Sequence, residues 1–127
     1  MKKNVFLAFT NSTIRREQEY NKWYDEQHLV DLINVPGFVS ARRYRHRLAP
    51  GQFEFNTQTL EHKYLALYEI ETDDIVKVMK ELACRVGTPE VVTTDAIDTS
   101  TLRSPVFEQI IERQDAFEVQ RRRIGPR

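Results

Sequence analysis

Apolar residues occupy both phases of a period-two pattern from Asn4 to Thr10, NVFLAFT, so this stretch predicts a central strand covered on both faces. Asn11, Ser12 and Thr13 follow as a polar turn with helix-capping side chains, and Asn11 stands where an amide could reach a pocket. The pattern then becomes helical from about Arg15 towards Val30. At about 100° per residue, Tyr20, Trp23, Tyr24, Gln27 and Asp31 share one arc with His28 at its margin, whereas Leu29, Leu32 and Ile33 share another. A straight helix would not bury both arcs. A bend or break is therefore predicted near His28 to Val30.

Val35-Pro36-Gly37 ends the helical region, because proline disfavours helix in the residue before it and glycine permits a turn. A second strand is predicted from Phe38 to about Leu48, with Val39, Ala41, Arg43, Arg45 and Arg47 opposite Phe38, Ser40, Arg42, Tyr44 and His46. Ala49 to Lys63 is an irregular connection of a length that suggests a flap or contact arm. Tyr64 to Glu71 reads as the third strand. Asp73 and Asp74 offer an N-cap to a helix whose Ile75, Val78, Met79, Leu82 and Val86 form an apolar stripe ending at Gly87. Thr88-Pro89 starts a short turn, Thr93 to Ser104 reads as irregular, and Val106 to Glu112 as the fourth strand.

This order is the α+β, ferredoxin-like βαββαβ arrangement, a four-stranded antiparallel sheet with both helices on one face. The other face is left bare on a monomer and is most simply covered by a second copy, so a homodimer is expected. With 127 residues, one domain over 1–117 is expected, followed by a basic tail at 118–127, EVQRRRIGPR, read as a solvated terminus.

Composition narrows the partners. The 19 basic and 19 acidic side chains cancel, so nothing favours nucleic acid or an anionic membrane. No stretch has the apolar length of a membrane span, and the N-terminal apolar run is too short for a signal peptide. The single cysteine, Cys84, cannot form an internal disulfide; it falls opposite the apolar stripe and is expected to be exposed, in a cytoplasmic protein. His28, His46 and His62 lack metal-ligand spacing, so no metal site is expected.

The stretch from Asn21 to Tyr44, NKWYDEQHLVDLINVPGFVSARRY, concentrates the candidate chemistry. Tyr24 and His28 are i and i+4, and His28 and Asp31 are i and i+3, so the three can meet on one surface as a proton-transfer group. His28 is the candidate acid or base; its bland alternative is a histidine bonded to backbone at the break. Asp31 could orient the imidazole or cap the second helical segment. Tyr24 and Tyr68 could donate to a developing oxyanion or simply fill the core. Arg43 could hold a substrate carboxylate, or pair with Asp31 or Glu69. Trp23 is a packing wall or a stacking surface, and Asn11 and Asn21 are ambiguous between substrate binding and bridging.

Asn11, Glu19-Tyr20-Asn21, Trp23-Tyr24-Asp25, His28, Val35-Pro36-Gly37-Phe38, Ala41-Arg42-Arg43-Tyr44 and Ala66-Leu67-Tyr68-Glu69 together resemble the EthD-type members of the dimeric α+β barrel superfamily, over roughly residues 4–112. The resemblance implies a homodimer whose two sheets form a barrel with the helices outside, and a small pocket between sheet and helices in each subunit. Val30 stands where similar sequences often carry proline. The superfamily includes cyclases, isomerases, dehydratases and heme-degrading monooxygenases, so membership leaves the reaction undecided.

The leading expectation is a cofactor-independent lyase, isomerase or cyclase acting on a small aromatic or oxygenated compound. His28, Asp31 and Tyr24 would carry the chemistry, and Asn11, Trp23, Arg43 and Tyr68 would hold the substrate. The alternatives are a heme-binding monooxygenase and a non-catalytic small-ligand-binding dimer.

Overall fold

In the computed structural model of this chain, which describes residues 1–47 and 60–124, strand β1 (Lys3–Thr10) sets the layering. Its side chains alternate: Asn4, Phe6, Ala8 and Thr10 are buried, while Val5, Leu7 and Phe9 are half-buried on the opposite face. It pairs antiparallel along its whole length with β3 (Tyr64–Glu71), Lys3 opposite Glu71 and Thr10 opposite Tyr64. The strands β2 (Phe38–Arg45) and β4 (Val106–Glu108) lie at the edges, in the order β2-β3-β1-β4. The sheet is thus ferredoxin-like, with β1 in the interior. Within this chain one face of β1 is buried and the other half-buried.

The helical region does not break. Helix α1 (Glu17–Trp23) passes through a π-helical turn, Tyr24–His28, into α2 (Leu29–Ile33), and the residues at both joints keep helical dihedrals. The wide turn takes more residues per revolution, so each residue advances by less than the usual arc, and this reconciles the two apolar faces without a kink. Tyr20, Tyr24 and Leu32 are all buried, whereas Ile33, expected to pack inwards, is exposed. Nor do Ser12 and Thr13 cap α1: Arg16 holds that position without a side-chain cap bond, and Arg15 adopts a positive φ of 67°. Thr13 is instead stitched to a later segment, its N–H donating to the Ala96 carbonyl at 2.6 Å and its Oγ1 to that of Asp95 at 2.7 Å.

The second strand contains a register shift. Phe38 lies opposite Ile70 and Ser40 opposite Glu69, leaving Val39 as the extra residue of a bulge. Simple alternation therefore fails at this point: Phe38 faces the core together with Ala41 and Arg43, and exposed Val39 faces away. The predicted end of this strand at Leu48, and the connection as far as residue 59, lie outside the described residues.

Asp74 caps α3 (Ile75–Arg85) as expected, accepting from the Lys77 N–H at 3.1 Å, and Val78 and Leu82 are buried beneath the sheet-facing stripe. Cys84 is exposed. The fourth strand is shorter than predicted, because β1 begins at Lys3 and its carbonyl already takes the Gln109 N–H at 2.8 Å. Ile110 and Ile111 then have no strand to pair with and are exposed. The tail carries a helix, α4 (Ala116–Ile124).

Gly37 has φ of 102°, and a Cβ there would sit 3.0 Å from Val78 Cγ2, so both backbone and space require glycine where α2 turns into β2. Gly37→Ala is expected to destabilise the fold by about 1–3 kcal/mol in equilibrium urea unfolding. A loss near zero would mean that this turn readjusts freely.

Candidate active site

The helical layer stands off the sheet far enough to leave a cavity of about 280 Å³. Its floor is Phe6, Ala8 and Tyr68 from β1 and β3, its wall is Trp23, Tyr24, His28 and Leu32, and residues from Val91 to Ser104 close the far side. That far side is a strap held at many points. The Trp23 Nε1–H donates to the Val92 carbonyl at 3.1 Å, and the Val92 N–H donates to Asp31 Oδ2 at 3.0 Å. Further along, the Asp98 N–H donates to the Asn11 carbonyl at 2.9 Å, and Phe9 and Arg103 exchange backbone bonds.

The π-turn explains how the wall is assembled. In an α-helix Trp23 and His28, five residues apart, would point about 140° away from each other. The wider turn brings i and i+5 into line, and the two rings stack with centroids 4.5 Å apart at 24°. Tyr24 meets the imidazole edge-on, at 5.0 Å and 83°, and the rings of Trp23 and Tyr24 are themselves 5.3 Å apart. The ring of His28 is thereby one corner of a three-ring cluster. Its Nδ1 is buried with no hydrogen-bond partner.

Burial chiefly lowers the His28 pKa from 6.5 to about 4, with the Asp31 charge opposing and the Arg43 charge assisting. The imidazole is neutral at pH 7. Tyr68 and Tyr24, both fully buried, are pushed upward by burial, so both hydroxyls remain protonated and able to donate. The two hydroxyls neighbour each other, yet the contact falls short of hydrogen-bond geometry and Tyr68 Oη has no partner.

The remaining candidates lie around this group rather than in it. Asp31 is buried, and its carboxylate accepts from Gln27 Nε2 at 2.9 and 2.8 Å as well as from Val92. It acts on His28 through charge and through the strap, not through a hydrogen bond. Arg43 lies behind Tyr24, its guanidinium 4.4 Å from that ring's centroid, and donates to Asp25 at 2.8 Å and to Asn21 Oδ1 at 2.9 Å. Neither Asp31 nor Glu69 is its partner; Glu69 pairs with Arg42. Asn11 is further off: its Nδ2 donates to the Glu61 carbonyl at 3.3 Å and its Oδ1 accepts from the Lys63 N–H at 2.8 Å, tying the entry of β3 to the strap.

Trp23, Tyr24, His28 and Tyr68 are thus brought to one cavity, while Asn11, Asp31 and Arg43 support its surroundings. Sequence reasoning missed Phe6, which stacks on Tyr68 at 5.5 Å, and the strap residues Ile97 and Leu102. The available signal was two large aliphatic residues in an otherwise polar run. Among the described residues, no group of three or more His, Cys, Asp or Glu side chains could hold a metal, and no helix is long and apolar enough to cross a membrane.

The depressed His28 pKa has a consequence for stability. As pH falls, the unfolded chain takes up the proton first, so stability is full above about pH 6.5, declines towards pH 4 and is lowest below it. His28→Gln should remove about 2–3 kcal/mol of that acid-dependent loss, measured as unfolding free energy against pH beside the parent protein. Parallel curves for the two proteins would show that His28 is not desolvated in the fold.

No protein-family model and no curated protein sequence matches the chain. Among solved structures, it is similar to a proposed monooxygenase from Shewanella loihica PV-4, with a TM-score of 0.54 at 10% identity, covering 89% of this chain and 99% of that one. A second likeness, to an EthD family protein from Bacillus halodurans C-125, has a TM-score of 0.47 at 12% identity, covering 87% and 100%. At such identities the first likeness speaks to fold alone. The chain has the ferredoxin-like α+β fold, which is consistent with its EthD-type resemblance.

Proposed function

We propose that this protein is a cofactor-independent lyase, isomerase or cyclase that moves a proton on a small aromatic or oxygenated compound. One observation carries the reading: a neutral imidazole with an unpartnered buried Nδ1 stands beside two protonated phenols at one wall of an apolar cavity. In the proposed step the C–H bond alpha to a carbonyl breaks and its proton passes to the lone pair of His28. The bonding electrons move to the carbonyl oxygen, and Tyr68 and Tyr24 donate to the enolate so formed. The imidazolium is stabilised in turn by that enolate and by the Asp31 charge. Return of the proton to another carbon gives isomerisation, loss of a beta substituent gives elimination, and attack of the enolate on a second carbonyl gives cyclisation.

A heme reading fits this site poorly. The imidazole is packed against the rings of Trp23 and Tyr24, and a cavity of about 280 Å³ lies just below the roughly 300–1,000 Å³ typical of small-molecule pockets, too small for a tetrapyrrole. The proposed protein is one domain over 1–117, with 118–127 as its basic tail.

The same reading includes a homodimer formed through the outer sheet face. Leu7 and Leu67 lie opposite each other at its centre, with Val5, Leu65 and exposed Tyr44 and Phe107 around them. This apolar cluster, bordered by the Arg42–Glu69 ion pair on the same face, is what a partner would cover.

Proton transfer is tested by deuterium incorporation at the alpha carbon of small cyclic aryl ketones, 2-tetralone first, followed by proton NMR in D₂O. Protein-dependent exchange is expected, reduced about 100-fold in His28→Ala and by a comparable factor in Tyr68→Phe. Ketones that bind without exchange would favour the non-catalytic binding reading. For assembly, sedimentation velocity should give a dimer for the parent protein and a monomer for Leu67→Arg; a monomeric parent would remove the outer face as an interface.

A further inference from the structure

No charged side chain borders the cavity among the described residues. The cation packed on the ring of Tyr24, Arg43, does not itself line the cavity. Its Nη atoms are already engaged by Asp25 and Asn21, and its face by the rings of Tyr20, Tyr24 and Tyr64 at 5.3, 4.4 and 5.1 Å. It cannot turn into the cavity without abandoning these partners and displacing a buried tyrosine. A ligand carboxylate in this space would therefore lose its water and gain no counter-ion, which is the costly way to bury a charge.

Two residues that line the cavity carry unpartnered polar atoms. Tyr68 Oη is fully buried and unpartnered, and His28 Nδ1 is buried and unpartnered. Both phenols are held in the protonated form by burial, and the imidazole in the neutral form. Such a site offers O–H donors to an oxygen and a nitrogen to an acidic hydrogen, and a buried polar group left unpaired is itself unfavourable. The rest of the lining is mostly apolar, with Leu32, Leu82, Val91, Ile97 and Leu102, and Thr93, Thr94, Thr99 and Ser104 of the strap add uncharged hydroxyls.

We infer that the site takes an uncharged aryl ketone or phenol, its one oxygen against Tyr68 and Tyr24 and its ring among the aliphatic side chains, and that it rejects the corresponding carboxylate. The inference uses the proton-transfer reading for the orientation of the ligand and the cavity alone for its charge. Arg43 is then a positioning residue that fixes the ring of Tyr24, not a ligand for substrate. This replaces the expectation, drawn from its charge, that it holds a carboxylate.

The test is a fluorine NMR titration of the parent protein at pH 7 with 6-fluoro-2-naphthol and 6-fluoro-2-naphthoate, similar in shape and different in charge. The naphthol is expected to bind at least about tenfold more tightly. Its preference should shrink in Tyr68→Phe, and Leu102→Trp, which fills the cavity, should weaken it. Naphthoate binding as tightly as naphthol, or binding of neither, would overturn the inference. Since the titration reads no turnover, a failure of ketone exchange leaves its result standing, and the two ideas can fall separately.

Discussion

The contact on which this structure most depends is one half-buried cation among three tyrosines. Arg43 projects from β2 into the space between sheet and helix, where Tyr20 and Tyr24 meet it from α1 and the π-turn and Tyr64 from β3. Burial opposes its charge, and the Asp25 carboxylate and the Tyr20 hydroxyl more than offset that, so the guanidinium stays ionised. Cation and rings together tie the helical layer to the sheet at one end. Tyr20 also meets Thr10 through its hydroxyl, and Tyr64 donates to Glu17 at 2.7 Å, so each ring is fixed at both its face and its tip.

With that end closed, the layers diverge towards the strap and leave the cavity. The consequence for chemistry is a separation of roles. Charge is gathered around Arg43, Asp25 and Glu17, outside the cavity, and the cavity keeps only neutral polar groups. Tyr24 belongs to both regions: its face rests on the cation and its hydroxyl meets Tyr68. The π-turn completes the arrangement by aligning Trp23 with His28, which no regular helix would do.

Much of the fold was legible because strong periods leave little freedom. The alternation of Tyr64 to Glu71 and the Asp74 cap appear where the residues predict them. The conflict between two apolar arcs correctly signalled an irregular helix, but the remedy was a widened turn rather than a break. The bulge at Val39 left no trace, since both phases of β2 mix apolar and charged residues and a one-residue shift costs the pattern nothing. Of the site, Trp23, Tyr24, His28 and Tyr68 could be named from the chain. The strap could not, because Ile97 and Leu102 face inward singly, without a period, from backbone that is held by Asn11, Thr13 and Trp23 rather than by a ladder. Arg43 shows the limit of residue type as evidence: an inward strand arginine reads the same whether it meets a ligand or a stack of rings.

The central claim is that His28 sits desolvated and neutral at the wall of an uncharged cavity. Nitrogen-15 NMR of the imidazole across pH tests it most directly, with His28→Gln identifying the resonance among the three histidines. The account predicts a neutral ring at pH 7 that titrates near pH 4. A midpoint at or above the ordinary value of 6.5 would mean an imidazole open to water or joined to the Asp31 carboxylate, and would contradict it.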